Sequence, residues 1–425
     1  MIQIAILGCG TVGSGVIRLL QMHGESIRMQ LGDDIVIKKV LARTPQKARD
    51  LGLKEEQICR DFAQIVSDPD ISAVIELIGG TDDAYTFITQ SLNAGKHVVT
   101  ANKDLIALHY LELMELARRN GVSFAFEASV GGGIPLIDSI RRTLAANRIE
   151  SMYGILNGTT NYILTKMTQE GWSYGEALSR AQELGFAEAD PTSDVEGHDA
   201  ARKIAILSTL AFHTPVSFYD VYHEGISGIT KTDIRFASQS GYVIKLLAVA
   251  ERTEKGCAAY VRPALVPSGH PLASVSDSFN AVFLKGDAVG EVMLYGRGAG
   301  SLPTASSVVG DLMSAFRKGE GRGDTGPVCF ENLNVEDISE TEHVYYVRLA
   351  VLDRPLVLAA IARIFGEHGV SLASLVQEER GEGKAELMLF THRAKEKDVR
   401  KAMDEIRELD SFCEGAARIC LEMAK

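Results

Sequence analysis

The stretch Ile2-Gln-Ile-Ala-Ile-Leu-Gly8-Cys-Gly10-Thr-Val-Gly13 decides the fold. A short β-branched run ends on a GxGxxG loop, and Val12, Val16, Leu19 and Leu20 then recur at helical spacing. Strand, glycine turn and amphipathic helix, in that order, are the setting in which such a loop holds a dinucleotide. Gly8 permits the tight turn and Gly10 lets the backbone approach a pyrophosphate. Gly13 lets the helix pack closely on the strand, and free N–H groups with the helix dipole favour the phosphate charge. The competing reading is a glycine-rich turn that binds nothing.

Working outward, further strands are expected at 35–41, 73–77, 97–100 and 122–126, with a helix along Leu105, Leu108, Leu111, Met114 and Leu116 ended by Asn120-Gly121. The alternation implies a parallel sheet covered by helices. An NAD-selective site usually carries a carboxylate about 20 residues after the glycines, and none stands at Ala42-Arg43-Thr44. Arg43 either meets a 2′-phosphate, which favours NADP, or simply faces solvent, so NADP and NAD both stay open.

A chain of 425 residues, 46% hydrophobic and 24% charged, supports two or three domains. Its net charge of −12 argues against nucleic-acid binding, which needs a basic surface. The six cysteines have neither a CxxC pair nor metal-ligand spacing, as expected of reduced thiols in the cytoplasm. The apolar N-terminus has no basic leader and is interrupted by glycines, unlike a signal peptide, and no apolar run reaches a membrane span.

From 131 to 299 longer helices (174–184, 199–212) mix with strands such as 260–266, which reads as an α+β substrate and dimerisation domain. The segment Gly296-Arg-Gly-Ala-Gly-Ser-Leu-Pro-Thr304 leads into a helix bearing Val308, Val309, Leu312, Met313 and Phe316 on one face, expected to return to the first domain. The expected division is therefore 1–130 with 300–318, then 131–299, a Gly-rich and acidic linker at 319–342, and 343–425 in β-α-β-β-α-β order. The fold class is α/β: a Rossmann-type domain, an α+β domain and a ferredoxin-like C-terminal domain.

Reducing an aldehyde with a nicotinamide needs a proton donor and groups that hold the substrate, but no covalent nucleophile. Asp199 and Lys203 are one helical turn apart beside the stripe Ile204, Leu207 and Leu210. A lysine at such an edge can be desolvated, lowering its pKa, while Asp199 orients it. Alone, the pair reads as a surface ion pair. The flanking stretch Glu188-Ala-Asp-Pro-Thr-Ser-Asp194-Val-Glu-Gly-His-Asp199-Ala-Ala-Arg-Lys203 changes that reading. It resembles the signature of homoserine dehydrogenases. So do Thr100-Ala-Asn-Lys103, Glu127-Ala-Ser-Val-Gly-Gly-Gly-Ile-Pro135, Leu156-Asn-Gly-Thr-Thr-Asn-Tyr162 and Gly296 to Thr304, in the family's order.

The resemblance implies an NAD(P)-dependent interconversion of L-aspartate 4-semialdehyde and L-homoserine. Lys203 then matches the proton donor and Lys103 the second lysine near nicotinamide and substrate. Glu188, Asp199 and the nearby Asp194 match substrate-binding carboxylates, suited to an ammonium group. Thr11, Val12, Gly13, Lys103, Gly185 and Gly300 match cofactor contacts, beside Gly8 and Gly10. Glu127 with the carbonyls of Val130, Gly132 and Ile134 matches a monovalent-cation site, usually sodium; the alternative is a glutamate that caps a helix or bonds backbone. The family also implies a homodimer or homotetramer.

No histidine shows metal spacing or a triad partner. The C-terminal segment, with Asp353-Arg-Pro355 at its first turn and His368-Gly369-Val370 before its second strand, resembles an ACT domain, for which threonine is the expected effector. Leu356 stands where the family usually has glycine, and its side chain can obstruct a ligand; the alternative is a domain serving self-association. Two other functions compete with this one. Aspartate-semialdehyde dehydrogenase needs an acylated cysteine, for which Cys9 and Cys257 are unsuited. A non-catalytic amino-acid sensor should have lost Lys203, Asp199 or Glu188, and all are present.

Overall fold

The computed structural model describes residues 1–317, 329–413 and 415–423. The chain opens β1 (Ile2–Leu7), α1 (Thr11–Leu31), β2 (Ile35–Leu41), α2 (Pro45–Asp50), β3 (Ile58–Cys59), α3 (Ala63–Val66), β4 (Ile71–Glu76), α4 (Asp82–Asn93), β5 (His97–Thr100), α5 (Lys103–Asn120) and β6 (Phe124–Ala125). These six strands form one parallel sheet in the order β3-β2-β1-β4-β5-β6. Alternation along β1 shows why it is central. Ile4 and Ile6 face one core with α1, while Ala5 and Leu7 face another with Phe62 and Ile65. The order reverses between β1 and β4, so their carboxyl ends make the switch point at which such sheets bind ligands.

The middle runs β7 (Ile149–Ile155), α6 (Gly158–Glu170), α7 (Tyr174–Glu183), α8 (Thr192–Val195), α9 (His198–Phe212), β8 (Tyr222–His223), α10 (Lys231–Gln239), β9 (Tyr242–Arg252), β10 (Gly256–Pro267), β11 (Phe279–Gly286), β12 (Gly290–Arg297) and α11 (Ser301–Phe316). The remainder is β13 (Asn334–Val335), β14 (Glu342–Leu352), α12 (Val357–Glu367), β15 (Leu372–Gly381), β16 (Lys384–Thr391), β17 (Ala394–Lys395), α13 (Glu396–Arg407) and β18 (Ala417–Leu421).

By packing, the chain divides into two compact units: Met1–Glu150, Arg202–Phe218 and Asn280–Asn332 form the first, and Ser151–Ala201, Tyr219–Phe279 and Leu333–Lys425 the second. In the first, α11 lies on α1, burying Val308, Val309 and Leu312 against Val16 and Ile17. In the second, β7-β9-β10-β18-β14-β16-β15 are neighbours, antiparallel except for the parallel pair β10 and β18. The C-terminal β14-α12-β15-β16-α13-β18 is an ACT fold with its own core of Val347, Leu349, Ile361, Phe365, Leu387 and Met403.

These units cut across the four segments expected from sequence, because packing joins the ACT fold to β9 and β10 through a shared sheet. Of the linker expected at 319–342, residues 319–328 lie outside the described residues, as does residue 318. The part from 333 onward is anchored: β13 pairs with β10, and Ile338 is buried.

Candidate active site

In the first unit the glycine loop closes the end of β1. Gly8 has φ +101°, and a Cβ there would lie 2.7 Å from the Leu77 carbonyl oxygen; one on Gly13 would lie 2.2 Å from that of Gly8. Both positions admit only glycine. A Cβ on Gly10, by contrast, meets nothing within 4 Å, which leaves its face open for a pyrophosphate to approach. Thr11 starts α1 and its carbonyl accepts Ser301 Oγ at 2.7 Å, while Val12 packs on the core. Gly300 caps α11 at φ +125°. The loop opens on a cavity of about 570 Å³ that Arg43, Lys47 and Arg60 also line. Arg43 is 90% exposed and 3.5 Å from Asp83.

Lys103 is the first residue of α5 and half-buried. A cation there opposes the helix dipole. The loop before it is tied down by Glu76, fully buried at the end of β4. Glu76 Oε2 accepts Thr100 Oγ1 at 2.6 Å and Oε1 accepts Ile78 N–H at 2.8 Å. Burial pushes this carboxyl up, against those hydrogen bonds. Asn102 caps α5 at Leu105 N–H (3.1 Å) and donates to the Gly80 carbonyl at 2.6 Å. Lys203 lies on α9, half-buried. Its neighbour Arg202 pairs with Asp104, the neighbour of Lys103, at 2.9 Å, which draws the two lysine-bearing helices together.

In the second unit, Asp194 of α8 and Asp199 of α9 are brought together by Asn157. Its Nδ2 donates to Asp194 Oδ1 at 2.7 Å and to Asp199 Oδ2 at 2.9 Å. Asp199 is buried in the first turn of α9, where the dipole favours its charge. Glu188 is exposed, on a loop held by Gln182 Nε2 bonding the carbonyls of Glu188 and Ala189 (3.1 and 3.4 Å) and by Thr159 Oγ1 bonding that of Phe186 (2.7 Å). Gly185 turns the same loop at φ +75°, in the second unit, whereas the other expected cofactor positions belong to the first. Glu76 and Asn157 had no role assigned from sequence. Asn157 stands in a quoted motif and at a helix start, but its partners are 37 and 42 residues away.

At the expected cation position the Glu127 carboxylate accepts the N–H groups of Ile137 (2.8 Å) and Asp138 (2.7 Å). The Gly132 carbonyl accepts Ser307 Oγ at 2.7 Å and that of Ile134 accepts Leu136 N–H at 2.8 Å. Backbone N–H groups thus take one acceptor site on each carboxylate oxygen, and the other sites, with the second lone pairs of the carbonyl oxygens, are what a hard cation would meet. Burial pushes Glu127 up, and burial beside Glu127 raises Asp311 to about 8. Elsewhere, ligand atoms of His343, Cys420 and Glu422 lie within 4.8 Å of one another. Arg262 Nη2 donates to Glu422 at 3.0 Å there, so a guanidinium already supplies the positive charge.

A parallel 3-2-1-4-5-6 sheet with a glycine loop at its switch point is that of the dinucleotide-binding domain of NAD(P)-dependent enzymes, and burial raises the Cys9 thiol within the loop. Comparison with known proteins narrows the class. Residues 8–127 match the homoserine dehydrogenase NAD-binding domain, 135–313 the homoserine dehydrogenase family and 345–411 the ACT domain. The chain belongs to the homoserine dehydrogenase family. It is 42% identical to the homoserine dehydrogenase of Bacillus subtilis (strain 168), covering 96% of this chain and 95% of that one. A crystal structure of a Thiobacillus denitrificans homoserine dehydrogenase superposes with a TM-score of 0.93 at 41% identity, over 99% and 98% of the two chains. A hyperthermophilic archaeal homoserine dehydrogenase in complex with NADPH superposes at 0.64 with 27% identity, over 74% of this chain and 97% of its own. The sensor reading is not favoured.

Proposed function

We propose that Lys203 exchanges the proton in the interconversion of L-aspartate 4-semialdehyde and L-homoserine, with NADP the preferred cofactor. When bound, the nicotinamide supplies or accepts the hydride at the substrate carbon that bears oxygen. In the reducing direction, the Lys203 ammonium gives its proton to the carbonyl oxygen; in the oxidising direction, the neutral amine takes it from the hydroxyl. Lys103 meets the substrate carboxylate, and Asp194, Asp199 and Glu188 meet its ammonium. The observation that carries this reading is the pair of carboxylates held on Asn157, a receptor for a cationic group.

NADP is favoured because Arg43, Lys47 and Arg60 line the cavity of the glycine loop, three cations suited to a 2′-phosphate. A monovalent cation, sodium in the first instance, is held by the carbonyls of Val130, Gly132 and Ile134, with Glu127 contributing charge. The enzyme works as a homodimer or homotetramer in the cytoplasm, with threonine as effector at the ACT domain. The functional division remains 1–130 with 300–318, 131–299 and 343–425. The test is the initial rate of homoserine-dependent reduction of NADP and NAD by wild type and Lys203→Ala. Wild type turns over with a higher kcat/KM for NADP, and folded Lys203→Ala loses at least about 100-fold in kcat, as expected for a lost general acid–base. A wild type inert with both cofactors, or an active Lys203→Ala, refutes the assignment of roles.

A further inference from the structure

Within the second unit, a cavity of about 380 Å³ lies where the sheet of β9 and β10 runs on into the ACT fold. Tyr153 of β7 and Glu251 of β9 line it, and from the ACT fold so do His343 of β14, Arg393 before β17 and Glu422 after β18. No residue given a role in binding substrate, dinucleotide or sodium lies on it. The turn with Leu356 follows the far end of β14, an 11-residue strand, and so stands roughly 30 Å away at about 3.3 Å per residue. The volume is towards the lower end of the roughly 300–1,000 Å³ of small-molecule pockets, a size for a single amino acid.

Part of the charge on this cavity is already matched. Glu422 accepts Arg262 Nη2 at 3.0 Å, and Arg262 also pairs with Glu396 at 3.5 Å. Burial pushes the His343 imidazole down to about 3, so it stays neutral. Glu251 and Arg393 have no such match. Among the described residues Glu251 forms no ion pair, and its one hydrogen-bond partner is Tyr260 Oη at 3.5 Å. That hydroxyl has a single proton and lies closer to Glu422, at 3.2 Å. Arg393 likewise forms no ion pair among the described residues and donates to the Glu342 carbonyl at 2.9 Å. The two are near enough for Arg393 to act on Glu251 through its charge, yet they do not touch. Burial and Glu422 push the Glu251 carboxyl up to about 7, as befits a carboxyl with no counter-charge in contact. Glu336 and Glu342 add negative charge to the lining and Arg252 positive. We propose that this cavity binds a small zwitterionic amino acid, its ammonium on Glu251 and its carboxylate on Arg393. Such a ligand ties the end of β9 to the ACT fold, so its binding is a means of regulation through the shared sheet. The proposal is independent of the roles given to Lys103 and Lys203 and of an effector at the Leu356 turn.

The test is calorimetric titration of glycine, L-alanine and L-threonine into the full chain at about pH 8, where Glu251 is mostly ionised. Saturating NADPH and homoserine, which do not react with each other, keep the catalytic site filled. Wild type binds at least one of the three with a Kd below about 1 mM. Glu251→Gln and Arg393→Gln each weaken that binding at least about 10-fold, the scale of a lost hydrogen bond to a charged group. Ethylamine and propionate, which carry one charge each, bind at least about 10-fold more weakly than L-alanine for the same reason. Leu356→Gly leaves the Kd unchanged. Thermal unfolding checks each variant, and because Arg393 is exposed, Arg393→Gln tests the site even where Glu251→Gln fails to fold. A wild type that binds none of the three more tightly than about 1 mM overturns the proposal. So does a Kd that either substitution leaves unchanged in a folded variant. A Kd that moves with Leu356→Gly and with neither of the others places the ligand at the turn and overturns it too.

Discussion

At the residue scale, Lys103 and Lys203 stood out only through the motifs around them, Thr100 to Lys103 and Glu188 to Lys203, since the pair Asp199 and Lys203 alone reads as a surface ion pair. Glu76 and Asn157 were not legible: each acts on a partner at least 24 residues away, and neither type nor local spacing announces the pairing. Glu251 of β9 is another such residue. Burial and the charge of Glu422 push its carboxyl up to about 7, with Tyr260, Arg262 and Arg393 also facing it. Its folded value lies above the ordinary 4.5, so the folded protein keeps a proton that the unfolded chain releases, and stability falls as pH rises from about 4.5 through about 7. In Glu251→Gln that slope disappears. Denaturation between pH 5 and pH 8 should show wild type losing up to roughly 3 kcal/mol relative to the variant; parallel curves would contradict the assignment.

At the scale of elements, five of the six strands of the first sheet, all but the two-residue β3, and the βαββαβ order of the ACT fold are read correctly to within a few residues, because turns and period agree there. The strands β9, β11 and β12 escaped notice. β9 is buried almost throughout, as Tyr-Val-Ile-Lys-Leu-Leu-Ala-Val-Ala-Glu-Arg, so neither period 2 nor 3.6 shows in it. The turn into α12 carries the departure noted at Leu356. It has φ +74° and is 81% exposed, a left-handed residue with a Cβ, which costs about 1 kcal/mol and returns little in burial. Leu356→Gly exchanges that strain for unfolded-chain entropy of similar size, so thermal unfolding shows it as stable as wild type or up to about 1 kcal/mol more so. If the side chain obstructs effector binding, the same variant is inhibited by threonine at lower concentration than wild type. Equal threonine responses would favour a domain that serves self-association.

For the whole molecule, the ACT fold is not an appendage to the second unit. Arg348 on β14 forms a two-point pair with Asp233 on α10 at 2.7 and 3.2 Å, and also bonds Glu386 and the Gly415 carbonyl. All three charged side chains are buried. Removing one partner strands the others, so Arg348→Met should lower the unfolding free energy by about 3–5 kcal/mol in denaturant titration. A loss below about 1 kcal/mol would mean that the pair is open to water in solution. Composition, the glycine loop, the alternation of strands and helices and the family motifs determined, by themselves, what class of chemistry this chain carries. These are local signals: a turn, a period, a run of residues adjacent in the chain. Only the tertiary structure decided that Asn157 holds two carboxylates, that Glu76 fixes the loop of Lys103, and that β18 pairs with β10 to join ACT fold and catalytic sheet. Those are contacts between residues far apart in sequence, and their identity depends on the burial and register that folding alone creates.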